Sequence, residues 1–159
     1  MPTETTQASA APALVLGSSS PYRRELLARL RQPFTTAAPQ VDETPRAHET
    51  PRALALRLAL AKAREVASRH PQAIVIGSDQ VADLAGQPLG KPGTHPRAVA
   101  QLRQMSGQTV VFQTALAVVC AATGFEQTDL AAVEVRFRAL GDAEIERYLH
   151  AEQPYDCAG

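Results

Sequence analysis

The sequence predicts a single α/β domain in which helices cover a mixed, twisted β-sheet. In the first half of the chain, short apolar runs typical of buried strands alternate with segments of helical periodicity. In the second half, two long β-type runs are separated by a short turn sequence, which is typical of an antiparallel hairpin. Alternation followed by a long hairpin favours a mixed sheet with helices packed on it.

The first unit is a strand, a loop and a helix. Residues 13–17 (ALVLG) predict a buried strand, and the three serines that follow predict a polar loop. Ser20 is a suitable N-cap and Pro21 a suitable first helical residue, so we expect a helix that extends to about Arg31. Leucines at helical spacing give this helix an apolar stripe. A second strand is predicted over residues 34–41.

The later elements follow from the same signals of periodicity, turn residues and caps. The long central helix has an unusually wide face of Leu and Ala. The predicted elements are a polar loop over 42–49, a helix over 51–69, a buried strand over 73–77, a hairpin over 81–84 and 87–89, a helix over 96–105, two long strands over 109–121 and 126–138, and a helix over 142–151.

Length, charge and cysteine content bound the class of protein. The 159 residues suggest one domain, with residues 1–12 as a disordered tail and residues 13–159 as the folded part. Lys plus Arg and Asp plus Glu each number 16, and this zero net charge argues against a general nucleic-acid or membrane-surface binder. The sequence predicts no signal peptide and no membrane span. The two cysteines form no metal motif, so we expect reduced thiols in a cytoplasmic protein.

The loop formed by Ser18, Ser19 and Ser20 is the first candidate site. It precedes a helix N-terminus, where free N–H groups and the helix dipole favour an anion. Ser18 and Ser20 can add hydroxyl donors, and the guanidinium groups of Arg23 and Arg24 suit phosphate oxygens. An ordinary serine cap beside two solvated arginines fits the local pattern slightly better, so the loop alone does not decide.

Four charged residues complete the candidate inventory. Asp79 is predicted at the carboxyl end of a buried strand, where α/β proteins bind ligands, although a turn aspartate is the alternative. Lys62 lies on a mostly apolar helix and Lys91 lies between Gly and Pro. Glu43 lies in the polar loop, and a solvated charge is the alternative for each of these three. Together they offer cations for a polyphosphate, and carboxylates for Mg²⁺ or Mn²⁺ and a water.

The histidines and cysteines predict no further site. The histidines show no metal-ligand spacing, and we expect surface side chains at His48, His70, His95 and His150. Cys120 lies in an apolar strand and is expected in the core. Cys157 has no neighbouring histidine in the sequence that would activate it as a nucleophile.

Eight short motifs occur in order along residues 14–159. They are LVLGSSSPYRRELL, APQVDETP, RLALAKA, IVIGSDQV, LGKP, LRQMSGQ, VRFRAL and PYDCAG. Each is weak alone, but the ordered set resembles the Maf/septum-formation-inhibitor family of nucleoside triphosphate pyrophosphatases. The resemblance implies a Maf/ITPase-like fold. It also implies hydrolysis of a nucleoside triphosphate to a monophosphate and pyrophosphate with a divalent cation, Mg²⁺ or Mn²⁺.

The resemblance also implies roles for single residues. Asp79 matches the family's proton acceptor, and Glu43 matches an acidic residue needed for activity, so both are expected to bind the cation. With an ordinary pKa of about 3.9, an Asp is ionised at neutral pH and able to accept a proton. Lys62 is expected in the catalytic group as well. The polar substrate-binding positions of the family correspond to Ser18, Arg23, Lys62 and Lys91, to which we add Ser20 as a hydroxyl donor.

Two positions suggest which nucleotide is hydrolysed. The family divides at the residue after Ser-Pro and at the residue after the catalytic Asp, which here are Tyr22 and Gln80. This pair resembles the branch that hydrolyses 7-methyl-GTP, where an aromatic residue occupies the first position. A methylated guanine is cationic and gains attraction from an aromatic face, and Gln80 can donate and accept at a purine edge. The alternatives are the dTTP/UTP branch, which has Arg and Thr there, and a non-catalytic nucleotide-binding protein linked to cell division.

The end of the chain departs from the resembled pattern. The sequence stops at residues 157–159, inside a motif that the family continues. From the resemblance we therefore expect a domain that is truncated at its C-terminus. The resemblance suggests a homodimer, and the expected partners are a nucleotide substrate but neither nucleic acid nor membrane.

Overall fold

The computed structural model describes residues 11–158, so most of the predicted N-terminal tail lies outside the described residues. Ten elements follow one another in this part of the chain. They are β1 (Leu14–Gly17), α1 (Pro21–Ala28), β2 (Thr35–Thr36), α2 (Pro51–Arg69), β3 (Ile74–Leu84), β4 (Gln87–Leu89), α3 (His95–Met105), β5 (Thr109–Cys120), β6 (Phe125–Arg136) and α4 (Asp142–Glu152).

The strands form one mixed sheet. Its order is β2-β1-β3-β5-β6, and β4 pairs with the C-terminal end of β3. β1 is parallel to both of its neighbours, whereas β5 is antiparallel to β3 and to β6. The predicted mixed α/β fold with a long C-terminal hairpin is confirmed.

Helices cover both faces of the sheet. α2 packs on one face through small side chains, and Ala55, Ala59 and Ala63 are fully buried there against β1, β3 and β5. α3 and α4 pack on the other face, where Ile145 and Leu149 contact the ends of β3 and β5. Alternation along β3 therefore sends successive side chains to different helices. No helix within residues 11–158 combines the length and the apolar character needed to cross a bilayer.

Most predicted boundaries agree with the structure, and α2 begins and ends as predicted. Thr50 caps α2, because its side chain accepts a hydrogen bond from the N–H of Ala53 at 3.2 Å. The prediction over residues 34–41 was wrong in extent, since only Thr35 and Thr36 pair with the four-residue β1. Pro39 lies in the rest of that segment and has no N–H to donate to a ladder.

The largest difference concerns the third strand, which was predicted to end at Gly77. β3 instead continues for 11 residues through Ser78, Asp79 and Gln80 to Leu84. Its polar residues pair in unbroken register with β5, and Asp79 lies opposite Ala115. Asp79 is therefore a mid-strand residue, not a residue at the carboxyl end of a strand.

Candidate active site

α2 lies in unusually close contact with β3 at Gly77. A Cβ atom at this position would lie 2.3 Å from the carbonyl oxygen of Ala59 and 2.7 Å from the backbone nitrogen of Ala63. Only a glycine leaves space for this approach. The same approach sets Lys62 of α2 against Asp79 of β3, two residues beyond Gly77.

The centre of the site is an ion cluster of Lys62, Asp79 and Glu43. Nζ of Lys62 lies 2.7 Å from Oδ1 of Asp79 and 2.7 Å from Oε1 of Glu43. The side chains of Lys62 and Asp79 are only 7 % and 10 % exposed, whereas that of Glu43 is 54 % exposed. The structure thus combines a buried ion pair with a carboxylate that faces solvent.

Burial raises the pKa of the Asp79 carboxyl above its ordinary value. The hydrogen bond and positive charge of Lys62 act in the opposite direction, as does the charge of Arg23, while the negative charge of Glu43 adds to the increase. The assumption of an ordinary pKa for Asp79 was therefore wrong. A raised pKa makes the carboxylate a stronger base, and its cationic neighbours favour the ionised form that can accept a proton.

The loop that contains Glu43 is attached to α2 by Arg57. This guanidinium donates to both carboxylate oxygens of Glu49 and, at 3.1 Å, to the carbonyl oxygen of Thr44. Asp42 closes the turn locally, because Oδ1 accepts from both the N–H and the hydroxyl of Thr44. The loop is thus held to α2 directly after Glu43, which restricts where that carboxylate meets Lys62.

The loop of Ser18, Ser19 and Ser20 lies beside the ion cluster and lines a groove. Ser20 caps α1, as predicted, since its hydroxyl oxygen accepts from the N–H of Arg23 at 3.4 Å. Ser18 is buried, and its Oγ accepts from the N–H of Ser20 at 3.1 Å. Its hydroxyl donates to no acceptor within residues 11–158, so it can donate to a ligand. A groove of about 980 Å³ is lined by residues 18–20 and 32–36, together with Arg24. Lys62 and Asp79 do not line this groove, whereas Arg23 is close enough to act on Asp79.

The other predicted site residues lie in different positions. Tyr22 is 59 % exposed on α1, next to Arg23. Gln80 lies on the face of β3 opposite to Asp79, and its Nε2 donates to Oγ1 of Thr114 at 2.8 Å. Lys91 is exposed between β4 and α3, and no ion pair joins it to the cluster within the described residues. The structure therefore brings Glu43, Lys62, Asp79 and Arg23 together and leaves Lys91 and Gln80 apart from them.

Two residues at the site were missed by the sequence reasoning. Arg57 lies on α2 among Leu and Ala. It is eight residues from Glu49, and this spacing does not predict a contact between the two side chains. Gln113 of β5 is 8 % exposed, and its Oε1 has no hydrogen-bond partner in the described structure. It points to the same face of the sheet as Asp79, because Gln113 pairs with Val81 and Ala115 with Asp79. A glutamine within an otherwise apolar strand was the available signal.

His48, His70 and His150 are exposed, as predicted, whereas His95 is half-buried, and the prediction that the histidines show no ligand arrangement missed a contact between two of them. His95 at the start of α3 and His150 near the end of α4 stack with their ring centroids 4.9 Å apart, and both contact Glu146. The spacing of four residues between Glu146 and His150 was visible in the sequence. Cys120 is buried, as predicted.

The carboxylates of the cluster fit a hard divalent cation. Within residues 11–158, the bonds of Asp79 and Glu43 in the cluster use only Oδ1 and Oε1. The remaining carboxylate oxygens, Oδ2 and Oε2, are the type of ligand that Mg²⁺ and Mn²⁺ prefer.

The fold and the site define a class of protein: a mixed-sheet α/β protein with a lysine–carboxylate cluster beside a serine-rich helix N-terminus. The chain belongs to the Maf-like protein family, whose model matches residues 13–159. It is 75 % identical over 146 residues to a 7-methyl-GTP pyrophosphatase of Polaromonas sp. (strain JS666), covering 92 % of this chain and 67 % of the relative. It is 70 % identical to a protein of the same name from Albidiferax ferrireducens, covering 92 % of this chain and 73 % of the relative.

A solved structure supports the fold. A HAM1 protein from Coxiella burnetii matches with a TM-score of 0.56 over 79 % of this chain and 72 % of its own. The sequence identity is 16 %, so this likeness concerns the fold alone.

Proposed function

We propose that this chain hydrolyses 7-methyl-GTP to 7-methyl-GMP and pyrophosphate. The observation that supports it best is the buried ion pair between Lys62 and Asp79, with Glu43 on the solvent side of the same ammonium group. Relatives that share 75 % and 70 % of aligned residues carry the name 7-methyl-GTP pyrophosphatase. The geometry offers a base, a cation and an anion-binding loop, which are the groups that cleavage of a phosphoanhydride requires.

In the proposed reaction, the oxygen of a water adds to the α-phosphorus of the nucleotide. Asp79 takes the proton of that water on Oδ2, while Oδ1 stays bonded to Lys62. The bond from the α-phosphorus to the bridging oxygen breaks, and pyrophosphate leaves with that oxygen. Burial supports the role of Asp79, because a carboxylate with a raised pKa is a better proton acceptor.

The other residues bind and orient the triphosphate. Arg23 approaches Asp79 from α1, and its guanidinium suits two phosphate oxygens. Ser18 and Ser20 line the neighbouring groove, where the N-terminus of α1 favours negative charge. Glu43 would hold the divalent cation through Oε2, which leaves Oδ2 of Asp79 free to take the proton, and the cation neutralises phosphate charge when bound. Lys91 would need to approach from the loop before α3 to contact the same phosphates.

The proposal is tested by incubating the chain with 7-methyl-GTP, GTP, UTP and dTTP, each with Mg²⁺ or Mn²⁺, and measuring pyrophosphate release. We expect the largest kcat/KM with 7-methyl-GTP. In ¹⁸O-labelled water, the label should enter the monophosphate and not the pyrophosphate. Preference for UTP or dTTP would select that branch of the family instead. Nucleotide binding without any release would select a non-catalytic role.

Asp79→Asn keeps the shape of the side chain and removes its basicity, so turnover should fall by about 10²–10⁴-fold. Asp83→Asn is the matched control. Asp83 lies on the same face of β3, four residues further along, where its carboxylate accepts from the N–H of Gly86 at 2.8 Å. Equal activities of the two variants would remove Asp79 as the base.

A further inference from the structure

A cluster of His95, Glu146 and His150 lies between α3 and α4, away from the Lys62–Asp79 ion pair. Oε2 of Glu146 is 2.7 Å from Nε2 of His95 and 3.4 Å from Nε2 of His150. One nitrogen or oxygen of each residue lies within 4.8 Å of the others. α3 and α4 cover the face of the sheet opposite to α2, so this histidine cluster is separate from the proposed hydrolytic site.

Tyr155 determines which nitrogen of His95 is available to a ligand. The hydroxyl of Tyr155 lies 2.8 Å from Nδ1 of His95 and donates to the carbonyl oxygen of Leu149 at 3.4 Å. The contact with Nδ1 is the shorter of the two, so Nδ1 is occupied by Tyr155, and Nε2 is the nitrogen of His95 that faces Glu146. A hydrogen bond to the non-ligating nitrogen is the usual support of a metal-binding histidine.

A proton shared by Nε2 of His95 and Oε2 of Glu146 accounts for their 2.7 Å contact in the metal-free chain, and a divalent cation can take the place of that proton. The second imidazole is directed at the same carboxylate, and so three donors surround one point. In a tetrahedral zinc site with bonds of about 2.0–2.1 Å, neighbouring donors lie about 3.3 Å apart. The separation of 3.4 Å already fits this value, and the separation of 2.7 Å would have to open. The two imidazoles, whose ligand atoms lie within 4.8 Å, would adjust to the same spacing.

We propose that His95, Glu146 and His150 bind a divalent transition-metal ion of the zinc class. Two imidazoles and one carboxylate form a three-residue set that leaves a fourth position for water. Ions that prefer only oxygen ligands, such as Mg²⁺, are a poorer match to two nitrogens. The site is accessible, since the side chains of His95, Glu146 and His150 are 30 %, 47 % and 73 % exposed. The bound ion joins the first residue of α3 to the last turns of α4.

The test titrates metal-free chain with Zn²⁺ in a calorimeter and with Co²⁺ in a spectrophotometer. We expect one Zn²⁺ per histidine cluster, a visible Co²⁺ spectrum of the four-coordinate type, and a higher Tm with Zn²⁺. The measurements use a background with both Glu43→Gln and Asp79→Asn, so that a cation in the hydrolytic site does not contribute. The readouts need no activity, and failure of either proposal is therefore visible separately.

Variants assign the ligands. His95→Ala and His150→Ala should each abolish the cobalt spectrum, while His70→Ala, outside the cluster, should leave it unchanged. Tyr155→Phe removes the support of Nδ1 and should weaken Zn²⁺ binding by about tenfold or more. Cys157→Ser should have no effect. Zinc binding that survives both cluster variants, or that requires Cys157, would overturn the proposal.

A direct readout covers the case in which a variant fails to fold. The ¹⁵N imidazole signals of the chain are recorded while Zn²⁺ is added. Nε2 of His95 and of His150 should shift together at one equivalent, and the signals of His48 and His70 should stay in place. Unchanged signals of His95 and His150 at saturating Zn²⁺ would also overturn the proposal.

Discussion

A Cβ atom on Gly77 would lie 2.8 Å from Cβ of Ala63, closer than side chains approach in folded proteins. This contact between β3 and α2 is what brings Lys62 to Asp79. Gly77→Ala should therefore push α2 outward, with a loss of stability of about 1–3 kcal/mol from overpacking. It should also lower kcat/KM, because the distance from Lys62 to Asp79 increases.

Urea unfolding and pyrophosphate release measure the two effects. Gly90→Ala is the matched control, since a Cβ atom at Gly90 would meet no atom within 4 Å. A Gly77→Ala protein with unchanged stability would show that α2 can retreat freely, and the ion pair would then not depend on this contact.

The Gly77 contact also illustrates what the sequence could and could not predict. The wide Leu and Ala face of α2 predicts a buried helix, and both of its ends were predicted correctly. The polar run of Ser78, Asp79 and Gln80 predicted the end of a strand, because three consecutive polar residues interrupt the apolar pattern of a buried strand. In the structure each has a partner: a carbonyl oxygen of β5, Lys62 and Thr114, respectively. Those partners are 37, 17 and 34 residues distant, and no local pattern reports them.

Site residues could be predicted where they lie in a sequence motif. They could not be predicted where only their contacts in the folded structure identify them. Glu43, Lys62 and Asp79 lie in motifs and meet in the structure. Arg57 acts through a backbone carbonyl, which has no sequence signature. The two contacting histidines are 55 residues apart by their numbers, 95 and 150, and only the packing of α3 on α4 brings them together.

The pKa of Asp79 should move in opposite directions when its two ionic neighbours are neutralised. Lys62 lowers this pKa and Glu43 raises it. Lys62→Met should therefore raise the pKa of Asp79 further, and Glu43→Gln should lower it. The ¹³C signal of the Asp79 carboxyl, followed against pH in the free protein, measures both changes.

The pKa of Asp79 should also determine how the rate of hydrolysis falls at low pH. Activity should rise with pH as Asp79 ionises, with a midpoint above the ordinary value of 3.8. A carboxyl signal that titrates alike in both variants would contradict the assigned neighbours.

Arg57 should position Glu43 without contacting the nucleotide. Arg57→Lys keeps the charge but loses the forked contact with Glu49 and Thr44, so kcat/KM should fall several-fold while nucleotide binding changes little. Arg64→Lys is the control, because Arg64 lies on the same helix and makes the same forked contact with Glu126 far from Glu43. Equal losses in both variants would indicate a general effect on α2.

The Arg57 contact also predicts an acid dependence. Hydrogen bonding to Arg57 lowers the pKa of Glu49 from 4.5 to about 2. A lowered pKa in the folded state means that the stabilisation is complete above pH 4.5 and is lost as the pH falls toward 2. The stability difference between wild type and Glu49→Gln, measured by urea unfolding, should therefore shrink between about pH 6 and about pH 3. A constant difference would exclude this carboxylate as the titrating group.

We expect Gln113 to lower the stability of the folded chain and to contribute to activity at the site. Its buried Oε1 has no hydrogen-bond partner among residues 11–158, and an unsatisfied buried acceptor costs about 1–3 kcal/mol. Gln113→Met has a similar shape without that atom, so it should stabilise the fold by about 1 kcal/mol or more and lower kcat/KM. Gln127→Met, at an exposed position of β6, should change stability by less than about 0.5 kcal/mol. A Gln113→Met protein of lower stability would indicate a bonded amide.

Tyr22 should distinguish a methylated guanine from other bases. Tyr22 is 59 % exposed beside Arg23, so a base bound beyond the phosphates can stack on its ring. At an exposed site, attraction between a cation and an aromatic face contributes about 0.5–1 kcal/mol, or roughly a two- to five-fold effect. Tyr22→Ala should therefore lower the ratio of kcat/KM for 7-methyl-GTP to kcat/KM for UTP by about that factor. Tyr22→Trp should raise this ratio.

Leu26 provides the control for Tyr22. It lies one turn further along α1 and is 57 % exposed, so Leu26→Ala removes a similar exposed apolar group without removing an aromatic face. This variant should leave the ratio of the two kcat/KM values unchanged. Equal losses on 7-methyl-GTP and UTP in Tyr22→Ala would mean that the ring shapes the phosphate loop. The recognition of a cationic base would then have to come from another residue.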